Sequence, residues 1–187
     1  YHDLKTTYSC LYSLYKNLRA TNYDGAAIIH SNCLLEWQPR DSIGGVFGLI
    51  FDLGTSTLVG KLVNLMEGQE VAVISRFNSQ RKYGADVISR IQYIKGHSKR
   101  LLKLQKLLIR DLSIITRHLL DSFGLKPDDI LVAVAAGNTI MQHFLLSLDP
   151  SGIAEAPFTP LITEGMTFRA RDVGLNLHPD AMLYVMP

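Results

Sequence analysis

GLIFDLGTST, residues 48–57, is the stretch of this 187-residue chain that decides its fold. An apolar run brings the carboxylate of Asp52 to the end of a predicted strand, and Gly54 permits a tight turn. Such a turn would expose consecutive backbone N–H groups beside the hydroxyls of Thr55, Ser56 and Thr57, which together can hold a phosphate. A nearby carboxylate can hold Mg²⁺ through water. The segment predicts a phosphate-binding hairpin, and an ordinary β-hairpin with hydrogen-bonded turn residues is the alternative.

Composition predicts a globular protein of the cytoplasm. Hydrophobic residues make up 47% of the chain and charged residues 19%, a balance that excludes disorder. Cys10 and Cys33 cannot form a disulfide framework or hold an iron–sulfur cluster, so we expect buried small hydrophobes in a reducing compartment. No window reaches the roughly 18 apolar residues of a membrane span. The net charge of +2 does not favour nucleic acid as a partner.

Hydrophobic periodicity predicts strands and helices on both sides of the hairpin. The predicted strands lie in 26–37 (one or two segments), 46–51, 57–65, 70–74, 130–135 and 181–185. The predicted helices are 4–18, 86–95, 98–123, where Ser98 is the expected N-cap, and 137–148. Residues 38–45 are a candidate domain boundary, and residues 151–176 are expected to be irregular. This order predicts an α/β layer fold with a mixed sheet and flanking helices.

Three other features have a structural interpretation and a functional one. A polar group in the segment 78–90 is expected to be a solvated loop and helix cap, with a cleft lining as the alternative; it comprises Asn78, Gln80, Arg81, Gly84, Asp86 and Arg90. His143 is expected to be packed or capping, and an acid–base role is the alternative. The basic side chains between Lys95 and Arg110 are expected to form a solvated helix face, and an anionic partner is the alternative.

Four segments carry a resemblance to a known family. DLGTSTLVGKLVNL (52–65) resembles the first phosphate loop of the actin, sugar kinase and heat-shock chaperone ATPase superfamily. NSQRKYGADVISRI (78–91), AAGNTIMQHFLLSLDP (135–150) and APFTP (156–160) resemble, in order and spacing, the ATPase domain of reductive activators of corrinoid proteins. The resemblance implies an actin-like, ribonuclease H-like subdomain. Residues 44–187 would be the N-terminal half of that domain, and residues 1–43 the end of a preceding middle or linker domain.

The resemblance also implies a cofactor, a partner and site residues. ATP with Mg²⁺ would be bound, with Asp52 as the catalytic and metal-binding residue. Phosphate would be held by Gly54, Thr55, Ser56 and Thr57, and the strand-to-helix corner would be formed by Asn138 and Thr139. The partner would be a corrinoid protein of a methyltransferase system, returned from Co(II) to Co(I) by electrons from a [2Fe-2S] domain outside these residues.

Departures from the family and rival functions remain open at this point. Ser79 stands where the family more often has proline, which is expected to loosen its loop, and Ser56 replaces the commoner threonine. We expect an incomplete cleft that binds ATP weakly on its own. A non-catalytic interaction or homodimerisation module with an actin-like fold is one alternative, and a sugar or acyl kinase of the superfamily is another. Upstream cysteines and a downstream glycine-rich loop in the same gene would favour the activator.

Overall fold

A computed structural model describes residues 3–30, 32–40 and 46–187. The chain divides into two compact units, 1–46 and 47–187. The predicted boundary loop, 38–45, lies partly outside the described residues, since 41–45 are among those not described. Within the described ranges, no helix combines the length and the apolar character that crossing a membrane requires.

In its described residues, the first unit contains a three-stranded sheet and one α-helix that packs on it. Its elements are β1 (Lys5–Thr6), α1 (Tyr8–Ala20), β2 (Gly25–His30) and β3 (Cys33–Pro39). The middle strand is β3, which is parallel to β1 and antiparallel to β2. The predicted segment 26–37 is therefore two strands rather than one.

Helix α1 begins at Tyr8 rather than at the predicted Leu4. Thr7 is its N-cap, and the Thr7 hydroxyl accepts a hydrogen bond from the backbone N–H of Cys10 at 3.1 Å. The preceding residues, Lys5–Thr6, pair with β3. The predicted start is wrong because a strand pairing between residues distant in sequence overrides local helical periodicity.

The apolar face predicted for α1 lies mostly on the surface. Tyr8 is 83% exposed, Leu11 58% and Tyr15 67%, whereas Cys10 is buried. Cys33 is half-buried. The expectation of a buried small hydrophobe therefore holds for Cys10 and only in part for Cys33.

The second unit is built on a six-stranded mixed sheet. Its strands are β4 (Phe47–Leu53), β5 (Thr57–Asn64), β6 (Gln69–Phe77), β7 (Ile130–Gly137), β8 (Met166–Arg169) and β9 (Met182–Val185). The spatial order is β6-β5-β4-β7-β9-β8, with β4, β7 and β9 parallel to one another. The predicted meander β4-β5-β6 is confirmed, and the predicted strands β7 and β9 extend it on the other side. The α/β class with a mixed sheet and flanking helices is confirmed.

Four helices belong to this unit. They are α2 (Val87–Ile94), α3 (Ser98–Asp121), α4 (Thr139–Leu146) and α5 (Ser151–Ala154). Helix α3 packs so closely on β5 that a Cβ atom on Gly60 would overlap the side chain of Ile115. Its N-cap is His97, so the predicted cap Ser98 is one residue too late. The stretch expected to be irregular, 151–176, contains α5 and β8, and β8 pairs with β9 at the sheet edge.

One face of the six-stranded sheet is covered by helices, and the other face is more exposed. Leu49, Phe51 and Leu53 point to the helix side and are at most 1% exposed. On the other face Ile50 is 38% exposed and Asp52 is also exposed. Because side chains alternate along a strand, Asp52 lies on the face away from the helices, at the carboxyl end of β4.

Candidate functional site

The candidate site is the β4–β5 turn, residues 54–56. It lies at the carboxyl ends of two neighbouring parallel strands, since Leu53 of β4 is in register with Gly137 of β7. In open α/β sheets this edge is where ligands bind. A Cβ atom on Gly54 would overlap the carbonyl oxygen of Thr57, so the tightness of the turn requires glycine there.

The structure brings the turn together with the predicted strand-to-helix corner. Nδ2 of Asn138 donates a hydrogen bond to Oγ1 of Thr55 at 3.2 Å. Oδ1 of Asn138 accepts from the backbone N–H of Met141 at 3.0 Å, which makes Asn138 the N-cap of α4. Thr139, the first residue of α4, is exposed beside it. The predicted residues Thr55 and Asn138 are therefore in direct contact.

All three carbonyl oxygens of the turn accept hydrogen bonds from the segment 78–90. The Gly54 oxygen accepts from Nδ2 of Asn78 at 3.0 Å, and the Ser56 oxygen accepts from the backbone N–H of Asn78 at 3.0 Å. The Thr55 oxygen accepts from Nη2 of Arg90 at 2.5 Å. No residue in the described ranges accepts from the backbone N–H of Thr55 or Ser56. The turn is thus held through its carbonyl oxygens, while the N–H groups of Thr55 and Ser56 have no acceptor among the described residues.

Arg90 is fully buried behind the turn. Its Nε donates to the Gly84 carbonyl oxygen at 3.1 Å, and its Nη1 donates to Oε1 of Gln80 at 3.0 Å. Nη1 also lies 3.3 Å from the sulfur of Met141. These acceptors are neutral, and burial lowers the pKa of the Arg90 guanidinium to about 10. A cation with only neutral acceptors therefore lies beneath the candidate site.

The polar segment 78–90 divides into a buried part and an exposed part. Asn78, Gln80 and Arg90 are at most 1% exposed, so the expectation of a solvated loop is wrong for them. Asp86 is exposed and caps α2 as expected: its carboxylate accepts from the Ser89 backbone N–H at 2.8 Å, which holds the pKa of Asp86 below its ordinary value. Arg90 shares a helical face with Val87 and Ile94, a spacing that would have predicted its burial.

Asp111 is a buried anchor of the same segment that sequence reasoning missed. Its Oδ2 accepts from the Ser79 backbone N–H at 2.7 Å, and its Oδ1 accepts from the Ser79 hydroxyl and from Nε of Arg76, both at 3.0 Å. The Asp111 side chain is 0% exposed. Ser79 is therefore held firmly, and the expectation that it loosens the loop is wrong.

Asp52 fits the chemistry of a magnesium–phosphate complex. Mg²⁺ is usually bound by one or two carboxylates together with water and phosphate oxygens. Asp52 supplies one exposed carboxylate at the strand end that precedes the turn. Across the described residues, no group of three or more His, Cys, Asp or Glu could hold a metal without such help. The role of Asp52 stays a prediction.

His143 is packed in the interior, and the basic side chains between Lys95 and Arg110 lie on the surface. His143 is buried; its Nδ1 lies 2.7 Å from the Thr139 carbonyl oxygen, and its Nε2 accepts from the Leu161 backbone N–H at 3.0 Å. Both ring nitrogens are engaged, which supports the packed histidine. The basic side chains from Lys95 to Arg110 are exposed, as expected of a solvated face.

Comparisons with known proteins agree on one family. "Corrinoid activation enzyme RamQ" of Eubacterium limosum is 28% identical over 161 residues, which cover 86% of this chain and 27% of that protein. A solved structure described as "Reductive activator for corrinoid,iron-sulfur protein" aligns with a TM-score of 0.85 at 30% identity, covering 97% of this chain and 30% of that one. The chain thus spans less than a third of either relative. Residues 47–187 match the family model described as "RACo middle region", and the chain belongs to this family.

Proposed function

We propose that this chain is the phosphate-binding part of an ATP-dependent reductive activator of a corrinoid protein. The observation that carries the proposal is the 54–56 turn, whose carbonyl oxygens are all held from one side while the N–H groups of Thr55 and Ser56 remain for a ligand. The names of the two relatives, one a corrinoid activation enzyme and one a reductive activator, support the assignment of this turn to corrinoid activation.

In this proposal the turn binds the β- and γ-phosphates of ATP. The free N–H groups donate to phosphate oxygens, and the hydroxyls of Ser56 and Thr57 add further donors. Asn138 fixes the rotamer of Thr55 through the bond to Oγ1. Donors that are positioned before the ligand arrives stabilise charge that develops during phosphoryl transfer. Asp52 would hold Mg²⁺ and orient its water.

ATP contributes by shifting the equilibrium between an open and a closed cleft. It can shift this equilibrium only as far as its affinities for the two states differ. Closure would accompany the uphill transfer of one electron that reduces Co(II) to Co(I) in the corrinoid protein of a methyltransferase system. The electron would come from a [2Fe-2S] domain outside these residues. We also propose that the activator acts in the cytoplasm and that it forms a homodimer.

The test is the Asp52→Ala variant of the complete activator. We expect ATP-stimulated reduction of the Co(II) corrinoid, followed by its absorption spectrum, to fall by about 100-fold or more. The matched control is Asp128→Ala, which removes an exposed carboxylate remote from the turn and should leave the rate unchanged. Circular dichroism checks that both variants fold. Full ATP-stimulated activity of the Asp52 variant would reject the proposal.

A further inference from the structure

We propose that Arg90 and Asn78 are positioning residues, which hold the 54–56 turn in the conformation that presents its N–H groups to phosphate. The inference rests on the proposed function and adds to it a support that acts from the opposite side of the turn. Neither side chain would touch the nucleotide. Their effect would pass entirely through the turn backbone.

Planar peptide groups link the oxygens of the turn to its N–H groups. The C=O and N–H of one trans peptide group point in opposite directions, so fixing the oxygen also fixes the direction of the hydrogen. The peptide between Gly54 and Thr55 is held at its oxygen by Asn78, and the peptide between Thr55 and Ser56 is held by Arg90. The N–H groups of Thr55 and Ser56 belong to these same two peptides. Their orientation is therefore set by Asn78 and Arg90.

The burial of Arg90 is costly for the fold. A fully buried cation without a paired carboxylate is expensive compared with an apolar residue of similar size. The carboxylate that acts on the Arg90 charge is that of Asp86, which is itself exposed. An apolar side chain could pack against Met141 and complete this part of the core at lower cost. The hydrogen bond that the guanidinium donates to the Thr55 carbonyl oxygen explains why an arginine is buried at this position.

The hydrogen bonds of Arg90 and Asn78 reach beyond their own segment. The bonds from Arg90 to Gly84 and Gln80 join neighbouring parts of the segment 78–90 and would stabilise it alone. The bond to Thr55 spans 35 positions and leaves the segment. The hydrogen bond from Asn78 to the Gly54 carbonyl oxygen likewise leaves the segment and joins residues 24 positions apart. Two independent side chains from one segment therefore meet two successive carbonyl oxygens of the candidate site.

The first measurement uses the 187-residue chain without nucleotide. The variants are Arg90→Met, which keeps the apolar stem, and Asn78→Asp, which keeps the acceptor for the Gln80 N–H and loses the donor to Gly54. Nitrogen-15 relaxation should give Thr55 and Ser56 amide order parameters near 0.85 in the parent and below about 0.6 in both variants. Arg81→Met is the matched control, since Arg81 is an exposed arginine of the same segment. Parent-like order parameters in both variants would overturn the inference.

The second measurement uses the complete activator and compares ATP with AMP, which lacks the phosphates assigned to the turn. Both variants should weaken ATP binding by about tenfold, with AMP affinity within about twofold of the parent. Equal losses for ATP and AMP would indicate a general structural role and overturn the inference. If Arg90→Met fails to fold, the Asn78→Asp result decides. A parent that binds AMP as tightly as ATP would instead reject the proposed function, and the order parameters would still decide the positioning role.

Discussion

Asn138 and Thr55, 83 positions apart in the sequence, are joined by a hydrogen bond of 3.2 Å from Nδ2 to Oγ1. The bond connects the N-cap of α4 with the β4–β5 turn. It crosses from the end of one parallel strand to the end of its neighbour, at the edge where open α/β sheets bind ligands. The turn is therefore supported from two directions, by α4 and by the segment 78–90.

A double-mutant cycle should detect this support. Thr55→Val removes the hydroxyl, and Asn138→Ser removes the amide Nδ2 that donates to Thr55 while keeping an N-cap oxygen. We expect a coupling of about 0.5–1.5 kcal/mol between the two substitutions, measured by urea unfolding. Thr57→Val combined with Asn138→Ser is the control and should show no coupling. Additive effects of the first pair would mean that the hydrogen bond contributes nothing to stability.

Introducing proline at position 79 should destabilise this chain. Proline has no N–H, so Ser79→Pro would remove the 2.7 Å bond to the buried carboxylate of Asp111. We expect a loss of about 1–3 kcal/mol in the free energy of unfolding. Ser79→Ala is the control, because it removes only the hydroxyl and should cost less. A proline variant that equals or exceeds the parent in stability would contradict the assigned role of this N–H.

Removing the carboxylate of Asp111 should have a larger effect. Asp111→Ala leaves the Ser79 N–H without its acceptor and the Arg76 guanidinium, which is 37% exposed, without its ion-pair partner. We expect a loss of about 3 kcal/mol, measured by chemical unfolding. Asp128→Ala, at an exposed carboxylate, should change stability by less than about 0.5 kcal/mol. Similar small losses in both variants would show that the Asp111 network is not stabilising.

The cap of α2 should be sensitive to acid. The pKa of Asp86 is below its ordinary value in the folded protein because the Ser89 N–H favours the charged form. The contribution of this charge is complete above the unfolded pKa and is lost as the pH falls through the folded pKa. Asp86→Asn keeps a neutral cap, so the parent should exceed the variant in stability at pH 7 and approach it below that folded pKa. A stability difference that is independent of pH would contradict this.

Much of the second unit could be predicted from sequence because its signals are local. Apolar runs separated by turn residues predicted β4, β5 and β6, and helical spacing predicted α3. The start of α1 could not be predicted, since Lys5–Thr6 pair with a strand that lies far away in the sequence. The 54–56 turn and the neighbouring Thr57 were predicted from glycine and hydroxyl spacing, and the contact of the turn with Asn138 follows from the parallel pairing of β4 with β7.

The burial of Arg90 was missed because the segment 78–90 is rich in polar residues, which suggests exposure to solvent. Arg90 and Asp111 each lie among apolar positions of a helix, and that spacing was the available signal. The family match describes residues 47–187 as a middle region, whereas we expected the middle domain to end at residue 43. The assignment of residues 44–187 to the first half of an ATPase domain stays a prediction.

Because Arg90 is buried, dissolved salt screens its interactions less than those of exposed charges. Dissolved ions screen exposed charges beyond a Debye length of about 10 Å at 0.1 M ionic strength, and they screen buried charges much less. The exposed lysines of α3 lose most of their long-range attraction for anions under these conditions. The hydrogen bond from the buried Arg90 guanidinium to the Thr55 carbonyl oxygen is screened little, so the support of the 54–56 turn should depend little on the ionic strength of the surrounding solution.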